Sequence, residues 1–275
     1  MTNSINTNYG AMVALQGLNR VNESLQTVQN RVSTGLRVAN AFDDGAAFAV
    51  AQGLRTDLSG LSAVNERLSV GRGVTSTAVA AGESIQSSMR ELKKVITSLA
   101  SGGLDDTQRV QYGEQFDSLV DDISTFIRDA EFDGKNLLTG DHVTVIANLQ
   151  ADTVTIRSQN LAGADFLAVL TGLKGTTAAA RFVSFNSAGG SFNTISQTLD
   201  KALNVIAADD RRVNNLVKFN TDLSDAITRG LGAIVDADLA KESANLQSLQ
   251  TRQQLASQTL GIANQAPQIL LGLFR

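Results

Sequence analysis

In the stretch Val74–Leu99, VTSTAVAAGESIQSSMRELKKVITSL, apolar side chains return at Val74, Ala78, Ala81, Ile85, Met89, Leu92, Ile96 and Leu99. Steps of three and four place all eight on one stripe of a helix, with the spacing that coiled-coil packing needs. The helical pattern extends back to about Leu54, predicting a helix over 54–99 that ends at Gly102-Gly103. Asp105 with Gln108 three residues on is the signature of a capping box. A third helix follows, with Tyr112, Phe116, Leu119, Ile123, Ile127 and Ala130 on one face. Phe132-Asp133-Gly134-Lys135-Asn136 then reads as a turn.

Outward from this core the pattern continues toward both ends. Leu15, Leu18, Leu25, Val28 and Val32 mark an amphipathic helix over 11–35, with Gly35 as its stop. Residues 36–53 are small and mixed. On the other side, Ile195, Leu199, Ala202, Ile206, Val213, Leu216, Leu223 and Ile227 keep the 3-4 spacing, until Gly230 and Gly232 interrupt it. A last helix from about Asp238 carries Leu246, Leu249, Ala256, Leu260, Ala263 and Leu270. The only proline is Pro267, so nothing before it forces a helix to break.

The middle is of another kind. His142-Val143-Thr144-Val145-Ile146 and Asp152-Thr153-Val154-Thr155-Ile156-Arg157 are short β-branched runs and predict a hairpin or small sheet. Residues 160–191 are rich in Gly, Ala, Thr and Ser and read as loop, with one short helix around Asp165–Leu170. The expected fold is therefore mainly α. Long antiparallel helices from the two chain ends form a coiled-coil rod around a small β-hairpin-containing insert.

Composition narrows the function. Aromatics are 5% of the chain and Trp is absent, which suits thin packing between long helices. With no Cys, thiol nucleophiles, disulfides and zinc-thiolate sites are excluded. The single His142 rules out a multi-histidine metal site. The acidic pairs Asp105-Asp106, Asp121-Asp122 and Asp209-Asp210 read as solvated helix surface or caps, since adjacent helical residues do not face each other. Asp209-Asp210-Arg211-Arg212 reads as a salt-bridged surface, with a contact to a neighbouring subunit as the alternative. No catalytic group and no cofactor is expected. Net charge is −4 without a basic run, which disfavours nucleic acid and anionic membranes. Met1-Thr2-Asn3-Ser4-Ile5-Asn6 has neither a basic nor an apolar leader region, so a cleaved signal peptide is not expected.

The terminal stripes are thin, and a lone helix that buries so little is marginal in water. Leu15, Leu18, Leu25, Val28 and Val32, against Leu246, Leu249, Leu260 and Leu270, are the candidate self-assembly interface. Their expected partner is another copy of the chain.

Five blocks carry a resemblance to bacterial flagellins. They are Ser4-Ile5-Asn6-Thr7-Asn8; Arg31-Val32-Ser33-Thr34-Gly35-Leu36-Arg37-Val38 followed by Asp43-Asp44; Phe132–Leu138; Ile234–Glu242; and Ala263-Asn264-Gln265-Ala266-Pro267-Gln268-Ile269-Leu270. Where flagellins commonly carry Lys before the paired acids, this chain has Phe42. The short insert and the ending Leu271-Gly272-Leu273-Phe274-Arg275 look most like alphaproteobacterial members. The resemblance implies an inner core domain made of 1–38 and 234–275. It implies a second-shell helical domain made of 39–140 and 193–233, and an outward insert at 141–192. It places Gly35, Arg37, Asp43, Asp44, Asp236, Asp238 and Glu242 at the connection between shells. It implies a homo-oligomeric filament for swimming, assembled outside the cell after type III export without a cleaved signal. The implied partners are an export chaperone, a filament cap and hook-junction proteins. Flagellins are often O-glycosylated, which makes Thr176, Thr177, Ser184 and Ser187 in the insert candidate sites. The alternatives are a hook–filament junction protein, which shares such ends, and a cytosolic helical partner-binding module.

Overall fold

A computed structural model describes residues 8–101, 103–163, 166–186 and 191–273, with the side chains of 178, 184–186, 191 and 266–273 outside that description. The chain is mainly helical. Helices α1 (Tyr9–Thr34), α2 (Gly45–Leu99) and α3 (Asp106–Asp129) precede strands β1 (Val143–Ile146) and β2 (Thr153–Ile156). Helices α4 (Leu167–Gly172), α5 (Ala178–Asn186), α6 (Ser191–Val235) and α7 (Leu239–Leu273) follow. Two compact units form: one from the described residues up to Leu58 and from Ala226 onward, the other from Ser59 to Asp225.

In the Ser59–Asp225 unit, α2 and α6 run antiparallel. Thr75 Oγ1 donates to Asp210 Oδ1 at 2.6 Å, and Gln86 Nε2 donates to Asp200 Oδ1 at 3.4 Å, so partners rise along one helix as they fall along the other. The predicted stripe is the seam: Val74, Ala78, Ile85, Met89, Leu92, Ile96 and Leu99 of α2 are buried with Ile195, Leu199, Ala202, Ile206 and Val213 of α6. The α3 face, Phe116, Val120, Ile123 and Ile127, closes the same core. The Asp105–Gln108 capping box is present in full at its start.

The hairpin pairs antiparallel, with Val145 opposite Val154 and Val143 opposite Ile156. Its inward side chains, with Leu161, Phe166 and Leu170, join the helical core rather than forming one of their own. Glycines of α2 make this approach possible. A Cβ on Gly71 would lie 3.1 Å from Val145 and from Ile156, and one on Gly73 would lie 2.5 Å from the Phe132 ring. On the α6 side, a Cβ on Gly82 would fall 2.2 Å from Leu203. The Phe132–Lys135 turn carries two left-handed residues, Asp133 at φ 52° and Gly134 at φ 72°, the conformation this turn type demands. Asn136 pins it, donating to the carbonyls of Ile127 (2.7 Å) and Arg128 (3.0 Å) at the end of α3.

Four expectations are corrected. α2 begins at Gly45, not near Leu54, because Asp44 Oδ1 accepts from Ala47 N at 3.0 Å and caps a run that includes four alanines, Ala46, Ala47, Ala49 and Ala51. α6 passes through Gly230 and Gly232 to Val235. A helical glycine costs about 1 kcal/mol, and Leu231, Ile234 and Val235 pack against Val38 and Ala51 to offset it. Residues 160–191 contain two helices, and α5 is held by Arg181, whose guanidinium bonds Leu173 O, Gly113 O and Asp117 and lies over Phe116. Finally, Asp209 is not surface: its carboxylate sits within the core stripe and bonds Arg157.

Candidate self-assembly interface

In the other unit, α1 and α7 are antiparallel. Asn8 Nδ2 donates to Ala263 O at 2.7 Å, Gln253 Nε2 to Asn22 Oδ1 at 2.7 Å, and Arg31 Nη1 to Glu242 Oε1 at 3.5 Å. Asn8 also caps α1 by accepting from Ala11 N. Gly35 at φ 71° ends α1, with its N–H bonded to Arg31 O, as a left-handed C-cap does. The two chain segments beyond the caps then pair. Leu36 bridges Asp236, Arg37 N donates to Val235 O at 2.7 Å, and Ala237 N donates to Gly35 O at 2.9 Å. Val38, Ala51 and Val235 are buried beneath this bridge.

The predicted interface residues divide. Leu25 and Val28 are buried, while Leu18, Val32, Leu246, Leu249 and Leu260 are half-buried. Leu15 is 47% exposed, and the side chain of Leu270 lies outside the described residues. One seam thus joins α1 to α7. A second apolar set stays in solvent: Tyr9, Met12 and Val13 on α1, and Leu255 and Ile262 on α7, with Tyr9 at 73% and Ile262 at 68% exposure. Spacings of 3, 4 and 7 put each set on one helical face. That spacing is legible in the sequence, but the choice of seam over bare face depends on how the two helices dock.

The residues expected at the connection between shells take part in local hydrogen bonds around the 35–44 and 232–242 segments. Arg37 Nη2 donates to Ile234 O. Asp43 Oδ2 accepts from Ala39 N (3.0 Å) and Asn40 N (3.1 Å). Asp44 caps α2, and Asp238 Oδ1 caps α7 through Ala240 N and Lys241 N. Asp236 N bonds Gly232 O. Glu242 is buried and paired with Arg31, a residue the sequence reading did not place in the site. Its position was detectable: a base in the last turn of one helix and an acid in the first turn of the other each suit the local helix dipole.

The remaining candidates lie in the insert. Thr176 Oγ1 donates to Leu173 O, and Thr177 is exposed with its hydroxyl accepting from Ala180 N. The Ser184 side chain and Ser187 lie outside the described residues. His142 Nδ1 accepts from Ser158 N at 3.1 Å at the open end of the hairpin, a packing role. Among the described residues no cluster of acids or histidine could hold a metal, and no helix is long and apolar enough to cross a membrane.

The two chain ends thus form an antiparallel helical pair with apolar side chains exposed on each helix, the architecture of a mainly helical protein. The N-terminal helical region of bacterial flagellin matches residues 5–142, and its C-terminal helical region matches residues 193–274. The chain is 36% identical over 275 residues to flagellin FljK of Caulobacter vibrioides, covering 99% of each. It is 31% identical over 281 residues to a flagellin of Brucella melitensis, again covering 99% of each. Among solved structures, the crystal structure of Bacillus cereus flagellin aligns with 66% of this chain and 94% of its own, at 14% identity and a TM-score of 0.36. The chain belongs to the bacterial flagellin family. It is a structural subunit that self-assembles, in many copies, into the flagellar filament for swimming, and neither the junction protein nor the cytosolic module is favoured. Flagellins form that filament outside the cell.

Proposed function

We propose that the bare face of the α1–α7 pair is the surface through which each copy joins the filament. The supporting observation is the exposure of Tyr9, Met12, Val13, Leu255 and Ile262 beside a seam that buries only Leu25 and Val28 among the described apolar side chains of the pair. Each large apolar side chain is worth about 1.5–3 kcal/mol only when fully buried. The pair therefore gains most of its stability from a neighbour. In this reading, residues 1–38 and 234–275 make the inner core, 39–140 and 193–233 the next shell, and 141–192 the outward insert. Gly35, Arg37, Asp43, Asp44, Asp236, Asp238 and Glu242 hold the connection between the shells. The chain performs no catalysis. It is exported unfolded through the flagellar type III apparatus, and it meets an export chaperone, a cap and hook-junction proteins on the way. Exposed Thr177 is the best placed of the glycan candidates, and the intact mass of purified filaments tests whether any is modified.

Seeded growth tests the central point. Short filament seeds are extended with the full chain, with a chain lacking residues 1–35, and with the double variant Met12→Ser/Leu255→Ser. Growth is expected from the full chain alone. Normal growth of the double variant would sink the bare-face assignment.

A further inference from the structure

The side chain of Phe42 is 101% exposed, in a loop whose neighbouring backbone is held rigid. Asn40 Oδ1 accepts from Phe42 N (2.8 Å) and Asp43 N (3.2 Å). Asp43 Oδ2 accepts from Ala39 N and Asn40 N, and Asp43 N also bonds Asn40 O. With Asp44 capping α2, the chain on both sides of Phe42 is fixed before any partner arrives. A single exposed apolar residue is ordinary. A wholly exposed aromatic on a pre-organised loop is the form a binding anchor takes, because little ordering entropy remains to be lost on contact.

The loop itself forms one wall of a cavity of about 230 Å³, Asn40 and Asp43 facing it together with Thr27, Arg31, Thr34 and Leu36. Its walls combine methyl groups and polar side chains with the guanidinium of Arg31, which pairs with Glu242 at 3.5 Å and over which a ring can stack. The chain's own Phe42 does not enter it, since that ring is fully solvated.

We propose that Phe42 is an inter-subunit knob and that the Thr27–Ala39 cavity is its socket on a second copy of this chain. Knob and socket occur once each on every subunit and are unsatisfied within it. A contact of that head-to-tail kind repeats without closing when its rotation does not return to the start, which is how open helical polymers arise. The occupant is a second copy because self-assembly is what this chain does. The proposal rests on that reading and extends it to a contact outside the α1–α7 face.

The test places a photo-reactive benzoyl-phenylalanine at position 42 of the full chain, mixed with isotope-labelled chain and grown on seeds. Cross-links are expected between differently labelled chains and at residues 27–39 of the acceptor. Phe42→Ser, and separately Ala39→Trp to fill the socket, are expected to raise the monomer concentration needed for seed extension about tenfold or more, with the urea midpoint of the soluble monomer unchanged. Phe42→Tyr should grow nearly as wild type. Wild-type growth of Phe42→Ser, or cross-links confined to one chain or to another region of the neighbour, would overturn the proposal. If Phe42→Ser fails to grow while Met12→Ser/Leu255→Ser grows normally, the bare-face reading falls and the knob stands; the reverse pattern removes the knob alone.

Discussion

Arg157 closes on Asp209 with three hydrogen bonds to one carboxylate: its backbone N–H at 2.9 Å, Nε at 3.1 Å and Nη2 at 2.8 Å. The carboxylate is 5% exposed, and the arginine that covers it is largely in solvent. Burial pushes the Asp209 carboxyl up, but the hydrogen bonds from Arg157 and the charges of Arg157 and Arg212 outweigh it and hold it below the usual 3.8. Arg157 is raised in turn. Because the folded carboxyl ionises more readily than the unfolded one, its contribution is present above pH 3.8 and is lost as pH falls through the lower folded value. Asp209→Asn should therefore lower the urea midpoint of the monomer at neutral pH and flatten its decline in acid. Equal acid slopes for the two proteins would count against this account.

Two glycines of α2 should respond oppositely to alanine. Nothing lies within 4 Å of a Cβ on Gly53, so Gly53→Ala should stabilise the monomer by about 0.5–1 kcal/mol. A Cβ on Gly82 would fall 2.2 Å from Leu203. Overpacking costs about 1–3 kcal/mol, so Gly82→Ala should be net destabilising despite its helix propensity. Thermal or urea unfolding of the two variants checks the sign of each.

Asn136 uses its side-chain amide fully, donating to Ile127 O and Arg128 O and accepting from Leu138 N at 2.8 Å. Asn136→Ala leaves those buried backbone groups unpaired and should cost about 1–3 kcal/mol. Amide hydrogen exchange should show the loss at Leu138. Protection equal to wild type would refute the clamp.

Arg31 and Glu242 should behave asymmetrically. Glu242 Oε2 is buried without a partner, and the one bond to Arg31 is 3.5 Å long. Arg31→Met strands a buried carboxylate, whereas Arg31→Met/Glu242→Leu removes both charges. Limited proteolysis of the monomer should cut within α1 and α7 faster in the single variant than in the double. Equal rates would mean the pair has no role in holding the terminal helices together.

The helical seam was legible wherever its stripe was apolar. Val74 through Leu99, the Phe116–Ile127 face, the Asp105–Gln108 box, the Gly35 stop and both strands are local patterns, and local patterns state their own geometry. Asp209 shows where a local pattern can be misread. It falls on the 3-4 repeat between Ile206 and Val213, but as an acid in an acidic pair it reads as surface. The start of α2 escaped for a related reason: Ala46–Ala51 has little apolar periodicity, and its helix rests on the Asp44 cap and on burial of Ala51 under Val38 and Val235.

What the sequence alone determined is therefore a chain of long amphipathic helices around a hairpin, with terminal stripes too thin to stand without a partner. Family membership was readable from blocks at both ends. Only the tertiary structure decided which stripe residues close the α1–α7 seam and which stay bare. It also decided that Arg157 reaches across 52 positions of chain to neutralise Asp209, and that Phe42 is left fully exposed. Periodicity assigns a residue to a face of its own helix. Which partner that face meets is set by the docking of segments far apart in sequence, which no local pattern encodes.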